Sequence, residues 1–152
     1  TYCRQVLEID PSFTWAHIIL GRALQAAGHD LEAIPPLEQA RTLEPRLSEA
    51  IAAAGHAYAR AGRVADARAA LTTLHELSKT QYVSPMDMAT VHAGLGEARE
   101  TLDWLERAYA RRSYLMPFID ALPYFDAFDA EPRFQALLAR LELPARSAPA
   151  SP

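Results

Sequence analysis

Apolar residues recur every three or four positions along most of this chain. The stretches LEAIPPLEQARTL, residues 31–43, and ETLDWLERAYA, residues 100–110, both show this spacing, which is that of one face of an α-helix. Strand-like alternation of apolar and polar residues is scarce, and alanine and leucine outnumber the β-branched residues. The pattern therefore predicts an all-α fold.

Three parts of the chain repeat one pattern with a period of 34 residues. The stretch AGHAYARAGRVADA, residues 54–67, aligns with LGRALQAAGHDLEA at 20–33 and with MATVHAGLGEARET at 88–101. The aligned columns hold Gly28, Gly62 and Gly96; Ala33, Ala67 and Thr101; Leu37, Leu71 and Leu105; and Gly21, Gly55 and Ala89. A fixed period of this length indicates stacked helical units, so we interpret the polar residues of the stretch as solvated or groove-facing repeat positions.

This pattern resembles the tetratricopeptide repeat over residues 3–109, and Pro11 and Pro45 are also 34 residues apart, as at the ends of successive units. The family's unit is a pair of helices joined by a turn, and its units stack into a right-handed α-solenoid. The resemblance implies a helix at 1–10 that ends a preceding unit, followed by units at 11–45, 46–79 and 80–113.

The resemblance also implies a task for each small residue of the pattern. Glycines in the turn column supply the positive φ that the turn between two helices needs, and those of the earlier column let helices approach closely. The turn column holds Gly28, Gly62 and Gly96, and the close-approach column holds Gly21 and Gly55. The leucine column is expected to fill the space between neighbouring units.

Several residues set or disturb the expected helix boundaries. Ser84 followed by Pro85 is a typical helix start, which predicts a helix at about 84–95. Asp30, two residues after Gly28, is expected to cap the second helix of the first unit. Pro35 and Pro36 lie one turn inside that helix, and their missing N–H groups predict a kink or a later helix start.

Beyond Tyr109 the period is lost and aromatic residues concentrate in residues 114–134, called here the aromatic segment. It holds six of the thirteen aromatic side chains, namely Tyr114, Phe118, Tyr124, Phe125, Phe128 and Phe134. A final amphipathic helix is predicted at EPRFQALLARL, residues 131–141, with Pro132 in its first turn. Because the last unit of a solenoid exposes an apolar face, residues 114–143 are expected to form capping helices that complete a single domain at 1–143.

Two alternatives remain open for the aromatic segment. It forms the interface of a homodimer, or its side chains fill the groove of the chain's own repeats.

The last stretch, PARSAPASP at 144–152, is rich in proline and small residues and is predicted to be a disordered tail or linker. The chain begins at Thr1 within a predicted helix, which indicates a piece of a longer protein.

Charge and composition exclude several classes of partner. The formal net charge is -4 and no basic cluster is present, so nucleic acid is not an expected partner. No apolar run approaches the roughly 20 residues that span a bilayer, and a cytoplasmic location is expected. The single cysteine, Cys3, excludes an internal disulfide, and because it occupies the leucine column we expect it to be a small core residue.

No catalytic pattern is evident. The five histidines, at positions 17, 29, 56, 75 and 92, lack the spacing of a metal-binding helix, and no GxxxxGK phosphate loop exists. Pairs of acidic residues lie near expected helix starts or turns, where the helix dipole explains them. We therefore expect no enzyme activity, no cofactor and no metal site.

The resemblance implies a concave groove lined by the first helix of each unit. Its expected lining is Trp15, Ile18, Ile19, Arg22, Gln25 and Ala26 in the first unit; Glu49, Ala52, Ala53, His56, Ala59 and Arg60 in the second; and Val83, Met86, Asp87, Thr90, Ala93 and Gly94 in the third. Arg22, His56 and Arg60 are its polar contacts, and Arg22 and Arg60 should be exposed. Such a groove suits an extended or helical peptide with one or two acidic groups and an apolar side chain near Trp15 or Ile19. Alternatively, Trp15 and Ile19 pack under a preceding unit and the groove binds nothing.

The order of repeats, aromatic stretch and PRFQALLARL ending is similar to the C-terminal part of large bacterial signalling proteins. In that group, such repeats follow a serine/threonine kinase, an adenylate cyclase or a winged-helix DNA-binding domain. The resemblance implies a non-catalytic scaffold for a protein or peptide partner. The alternative is a structural element that positions or dimerises an attached catalytic or DNA-binding domain, and a third reading is regulation of an attached enzyme by docking onto it.

Overall fold

The computed structural model describes residues 2–142, without the side chains of residues 120 and 121. Every regular element in this range is a helix, which confirms the predicted all-α class for the part described. The elements are α1 Tyr2–Ile9, α2 Thr14–Ala26, α3 Asp30–Leu43, α4 Ser48–Arg60, α5 Val64–Ser78, α6 Pro85–Gly94, α7 Ala98–Ala110, a first 3₁₀ helix Met116–Ala121, a second 3₁₀ helix Pro123–Phe128, and α8 Pro132–Arg140. The predicted tail at 144–152 lies outside the described residues.

Helices pack mainly against their neighbours in sequence. α2 packs on α3, α4 on α5 and α6 on α7, so each 34-residue stretch contributes one pair. α4 also contacts α2, α3 and α6, which makes it the central helix. Every residue from Ala50 to Tyr58 is buried as a result.

Small residues make this central position possible. In α4, a Cβ added to Gly55 would lie 2.9 Å from both Ala70 Cβ and Val91 Cγ2, so α5 and α6 approach the same point from two sides. In α2, a Cβ on Gly21 would lie 2.4 Å from Leu37 Cγ. Both distances are shorter than carbon atoms tolerate, which confirms that Gly21 and Gly55 permit close helix approach.

Glycine also ends the first helix of each pair. Gly28, Gly62 and Gly96 have φ of 78°, 79° and 73°, as predicted. After α4, the Gly62 N–H donates to Ala59 O at 3.1 Å, and the following N–H, that of Arg63, donates to Tyr58 O at 2.8 Å. These bonds satisfy carbonyls that the helix end leaves free.

The helix starts follow the sequence only in part. The Ser84 hydroxyl accepts a hydrogen bond from Met86 N at 3.2 Å, and Pro85 is the first residue of α6, as predicted. The predicted cap at Asp30 is wrong, because Asp30 is the first residue of α3 and its carboxylate lies 3.6 Å from Arg60 Nε instead.

The two prolines do not delay α3, so the predicted later start is wrong. α3 runs from Asp30 through Pro35 and Pro36 to Leu43. The carbonyls that lose their N–H partners belong to Leu31 and Glu32, which are both exposed, so water can satisfy them.

Cys3 differs from its expected core position. It is only half-buried, and no residue of α1 is fully buried. α1 contacts α2 on one side, whereas the matching leucines, Leu37 and Leu71, belong to helices packed from more than one side.

The aromatic segment and α8 cover the last helix pair. Phe125 and Phe134 are fully buried and share one apolar cluster with Met86 of α6 and with Leu102 and Leu105 of α7. The α8 side chains of the same cluster are Phe134, Leu137 and Leu138.

Replacing Gly62 with alanine should lower the free energy of unfolding by about 1 kcal/mol, through backbone strain alone. Its φ of 79° disfavours a side chain, yet an added Cβ would meet nothing within 4 Å. Urea unfolding of Gly62→Ala and Gly62→Asn checks this. Asparagine tolerates positive φ, so Gly62→Asn should cost less; equal losses would contradict the explanation.

Candidate binding groove

The residues predicted to line a groove lie on α2, α4 and α6, which pack side by side, except Val83, which lies just before α6. Their exposure varies widely. The buried members are Ile18, Gln25, Ala52, Ala53, His56, Val83, Met86, Asp87, Thr90 and Ala93. Arg22, Glu49, Ala59 and Gly94 are half-buried, and Trp15, Ile19, Ala26 and Arg60 are exposed.

The aromatic segment covers part of this face, whereas Ile18, Ala52 and Ala53 are buried among residues of the neighbouring helices. Tyr124 places its ring 4.6 Å from the ring of His56, and its hydroxyl donates to Gln25 Oε1 at 3.3 Å. The second 3₁₀ helix, which carries Tyr124, also contacts α6. The groove therefore contains a tyrosine of the chain itself, as in the alternative in which side chains of the aromatic segment fill the groove.

Gln25 joins α2 to Ala53 and His56 of α4 and to Tyr124 of the aromatic segment. Its Nε2 donates to Ala53 O at 3.1 Å and to His56 Nδ1 at 3.0 Å, while its Oε1 accepts from Tyr124. Both amide hydrogens and the amide oxygen are therefore used, as a buried amide requires. This arrangement needs His56 Nδ1 without a proton.

The environment keeps His56 in that neutral form. Burial, and to a smaller extent the nearby positive charge of Arg60, lowers the pKa of His56 to about 3. His56 was predicted as a polar contact for a ligand. In the structure it accepts a hydrogen bond from Gln25 and supports the Tyr124 ring.

A second polar group lies where Tyr114 meets α2, α4 and α6. The Tyr114 hydroxyl donates to Glu49 Oε1 at 3.4 Å, and burial followed by the charge of Glu49 raises the pKa of Tyr114. Asp87 is buried here, and burial raises its pKa to about 7; Glu49 adds to the rise, while Ser48 and Arg22 oppose it.

Two atoms of this second group lack hydrogen-bond partners within the described part of the chain. They are Arg22 Nε and Asp87 Oδ2, and both are buried. Arg22 was expected to be exposed, but it is half-buried and lies beside the Tyr124 hydroxyl. Unsatisfied buried polar atoms are costly, so this end of the groove is the less stable one.

An opening remains beside Tyr124. A cavity of about 280 Å³ is lined by Gln25, His56 and Tyr124 at its base and by Arg60 and Asp126 among its charged residues. Arg60 is exposed as predicted, and its guanidinium Nε lies 3.6 Å from the Asp30 carboxylate. The accessible remainder of the groove is thus small and of mixed charge.

The described residues contain neither a metal-binding cluster nor a membrane-spanning helix. No group of three or more His, Cys, Asp or Glu side chains is placed to hold a metal ion within residues 2–142. Over the same range, no helix combines the length and the apolar character needed to cross a bilayer.

Comparison with known proteins gives no relative. A scan against protein-family models found no match, and neither the search of curated proteins nor that of solved structures returned a similar protein. The chain's own residues therefore carry the functional argument.

Sequence reasoning did not assign Tyr114 and Tyr124 to the groove. The available signal was the concentration of aromatic residues directly after the last repeat, which left three roles open for the segment. Nothing local distinguishes the tyrosine that enters the groove from Tyr82 or Tyr109, because Tyr124 and Gln25 are 99 positions apart.

The free energy of unfolding should fall as the pH is lowered from 6.5 towards about 3, because the unfolded chain binds a proton that buried His56 does not. His56 should contribute about 1.4 kcal/mol per pH unit in this window. His56→Gln should remove that slope, and His75→Gln, at an exposed histidine, should keep it. Urea unfolding across the pH range measures both; equal slopes in wild type and His56→Gln would contradict the assignment.

Asp87→Asn should stabilise the protein increasingly as the pH rises from 3.8 to about 7, because the raised pKa makes ionised Asp87 a cost in the folded state. Below this window the two proteins should differ least. Thermal unfolding at several pH values gives the comparison, with Glu100→Gln as a control for the loss of an exposed negative charge. A pH-independent difference would show that Asp87 does not titrate in this way.

Proposed function

We propose that this chain is a non-catalytic scaffold for protein–protein interaction, and that the groove between α2, α4 and α6 binds an aromatic peptide segment of a partner. The observation that supports the proposal is the contact of Tyr124 with Gln25 through a hydrogen bond and with His56 through its ring. A surface that holds one tyrosine through side-chain contacts offers the shape and the acceptor for another. Extended or helical segments commonly dock in grooves of this kind.

The architecture proposed with it is a right-handed α-solenoid of tetratricopeptide-like units. Its support is the 34-residue period, the three helix pairs, and a positive-φ glycine at the end of the first helix of each pair. In this arrangement the aromatic segment and α8 act as the cap of the last unit. The scaffold would belong to a larger cytoplasmic bacterial signalling protein, as the resemblance implies.

The contacts of Tyr124 indicate what a partner segment would need. An aromatic ring of the partner would lie on His56, and a hydroxyl of the partner would donate to Gln25 Oε1 beside Arg22. Trp15 and Ile19 are 40% and 51% exposed on the same helix as Gln25 and would contact apolar neighbours in the segment. An aromatic residue with a hydroxyl is therefore a better match than the acidic group expected from Arg22 and Arg60 alone.

A second candidate function is assembly through the aromatic segment. Tyr114 and Phe118 remain 63% and 58% exposed, although the rest of the segment supplies much of the core. Exposed aromatic residues are frequent at interfaces between subunits. In this case the chain would dimerise or position an attached domain, and its groove would have no external partner.

The test is the binding of a labelled peptide copying LPYFDAFDA, residues 122–130. In wild type the attached segment competes at an effective concentration on the order of 1 mM, so the free peptide should bind weakly. Tyr124→Ala weakens the attached competitor, and the peptide should then bind at least about tenfold more tightly, equivalent to about 1.4 kcal/mol. Fluorescence anisotropy measures both affinities.

Matched controls separate this result from general loosening. Tyr82→Ala, at an exposed tyrosine, should bind the peptide as wild type does, and a peptide with alanine in place of its tyrosine should not gain affinity. Tyr124→Phe, which keeps the ring and loses the Gln25 bond, covers the case in which Tyr124→Ala does not fold. No gain in either folded variant would reject the groove proposal, and a dimer of wild type by light scattering would favour assembly.

A further inference from the structure

A second cavity, of about 490 Å³, lies where the ends of α5 and α7 meet the start of α6. It shares no lining residue with the cavity beside Tyr124. Its volume falls within the range of about 300–1,000 Å³ that is usual for ligand sites. The surface is thus separate from the groove and has room for several side chains of a ligand.

The floor of this cavity is apolar. Val83, Pro85 and Met88 line it and are all buried, and the half-buried indole of Trp104 forms one wall. Tryptophan, tyrosine and arginine are the residue types that contribute most to binding at protein interfaces.

The charged side chains around the floor are all basic. The Arg107 guanidinium lies 4.5 Å above the Trp104 ring, and Arg111 and His75 also line the cavity. No ion pair of either arginine occurs among the described residues, although Arg107 is close enough to Asp103 to interact with its charge. The cavity lining includes no acidic residue from the described range. By contrast, the cavity beside Tyr124 places Asp30 and Asp126 near Arg60.

A purely structural role for these arginines would be to stabilise the end of α7. Arg107 lies in its last turn and Arg111 directly follows it, where positive charge is favourable. That role accounts for positive residues at this helix end. It does not require that both side chains line the same apolar cavity, so binding must be measured apart from stability.

We propose that this cavity binds an acidic segment of a partner protein, with a carboxylate between Arg107 and Arg111 and the neighbouring apolar side chain over Trp104 and Met88. Charge complementarity decides the choice of ligand, because two guanidinium groups without an ion pair in the described range border an apolar floor. A partner bound here would not displace Tyr124, since the two cavities have no lining residue in common.

The test uses the acetylated and amidated peptide Asp-Leu-Asp-Phe and its matched neutral version Asn-Leu-Asn-Phe. Trp104 reports binding by fluorescence in a Trp15→Phe chain, which leaves one tryptophan. The acidic peptide should bind at least about tenfold more tightly than the neutral one, and the difference should shrink when salt is raised from about 0.05 M to about 0.5 M. Equal binding of the two peptides, or binding of neither, would overturn the proposal.

Variants then locate the site. Arg107→Gln and Arg111→Gln should each weaken the acidic peptide about threefold. Arg99→Gln removes the same charge from an exposed position on α7 outside the cavity and should leave the affinity unchanged. Thermal unfolding of each variant shows whether it is folded and how much the helix end is destabilised.

Three outcomes would reject the proposal. An effect of Arg99→Gln as large as that of Arg111→Gln would indicate only long-range attraction by positive charge. Phenylacetate binding as tightly as the acidic peptide would show that the cavity holds a small organic anion instead. Loss of stability in Arg111→Gln with unchanged peptide affinity would leave the arginine with its structural role alone.

Discussion

The close packing of α4 against its neighbours is the constraint on which the rest of the structure depends. α4 contacts α2, α3, α5 and α6, and this is possible because its middle is made of alanine with glycine at position 55. Each neighbouring helix gains apolar burial from the same small set of atoms. The approach of α2 and α6 to the two sides of α4 also creates the shared face on which the candidate groove lies.

Close packing has an electrostatic consequence, because polar residues on that face lose contact with water. Gln25 donates to Ala53 O and His56 and accepts from Tyr124, so both hydrogens and the oxygen of its amide are bonded. Asp87 is not fully satisfied, since one of its oxygens has no partner in the described chain and burial raises its pKa to about 7. Burial on this face is therefore well compensated at Gln25, whose amide is fully hydrogen-bonded, and costly at Asp87, whose carboxylate is not.

The sequence predicts those features that depend on a residue and its near neighbours. Positive φ at Gly62 and the Ser84 cap are local, and both were predicted. The position of Tyr124 was not, since its partner Gln25 is 99 residues away and several other tyrosines have similar surroundings in sequence. The cap predicted at Asp30 was wrong because of a contact between neighbouring helix pairs. The Asp30 carboxylate lies near Arg60 of the next pair and does not cap its own helix.

The groove and the basic cavity would place different demands on a partner. A ligand of the groove must compete with a segment that is covalently attached, and an attached competitor acts at an effective concentration on the order of 1 mM. Binding there would respond to whatever loosens Tyr124, including protonation of His56, which must give up its hydrogen bond from Gln25. In the cavity beside Trp104 a ligand would meet the Arg107 guanidinium, which lies 4.5 Å above the indole ring, but no residue of the aromatic segment is among its described lining. Its occupancy would therefore depend on partner concentration and salt.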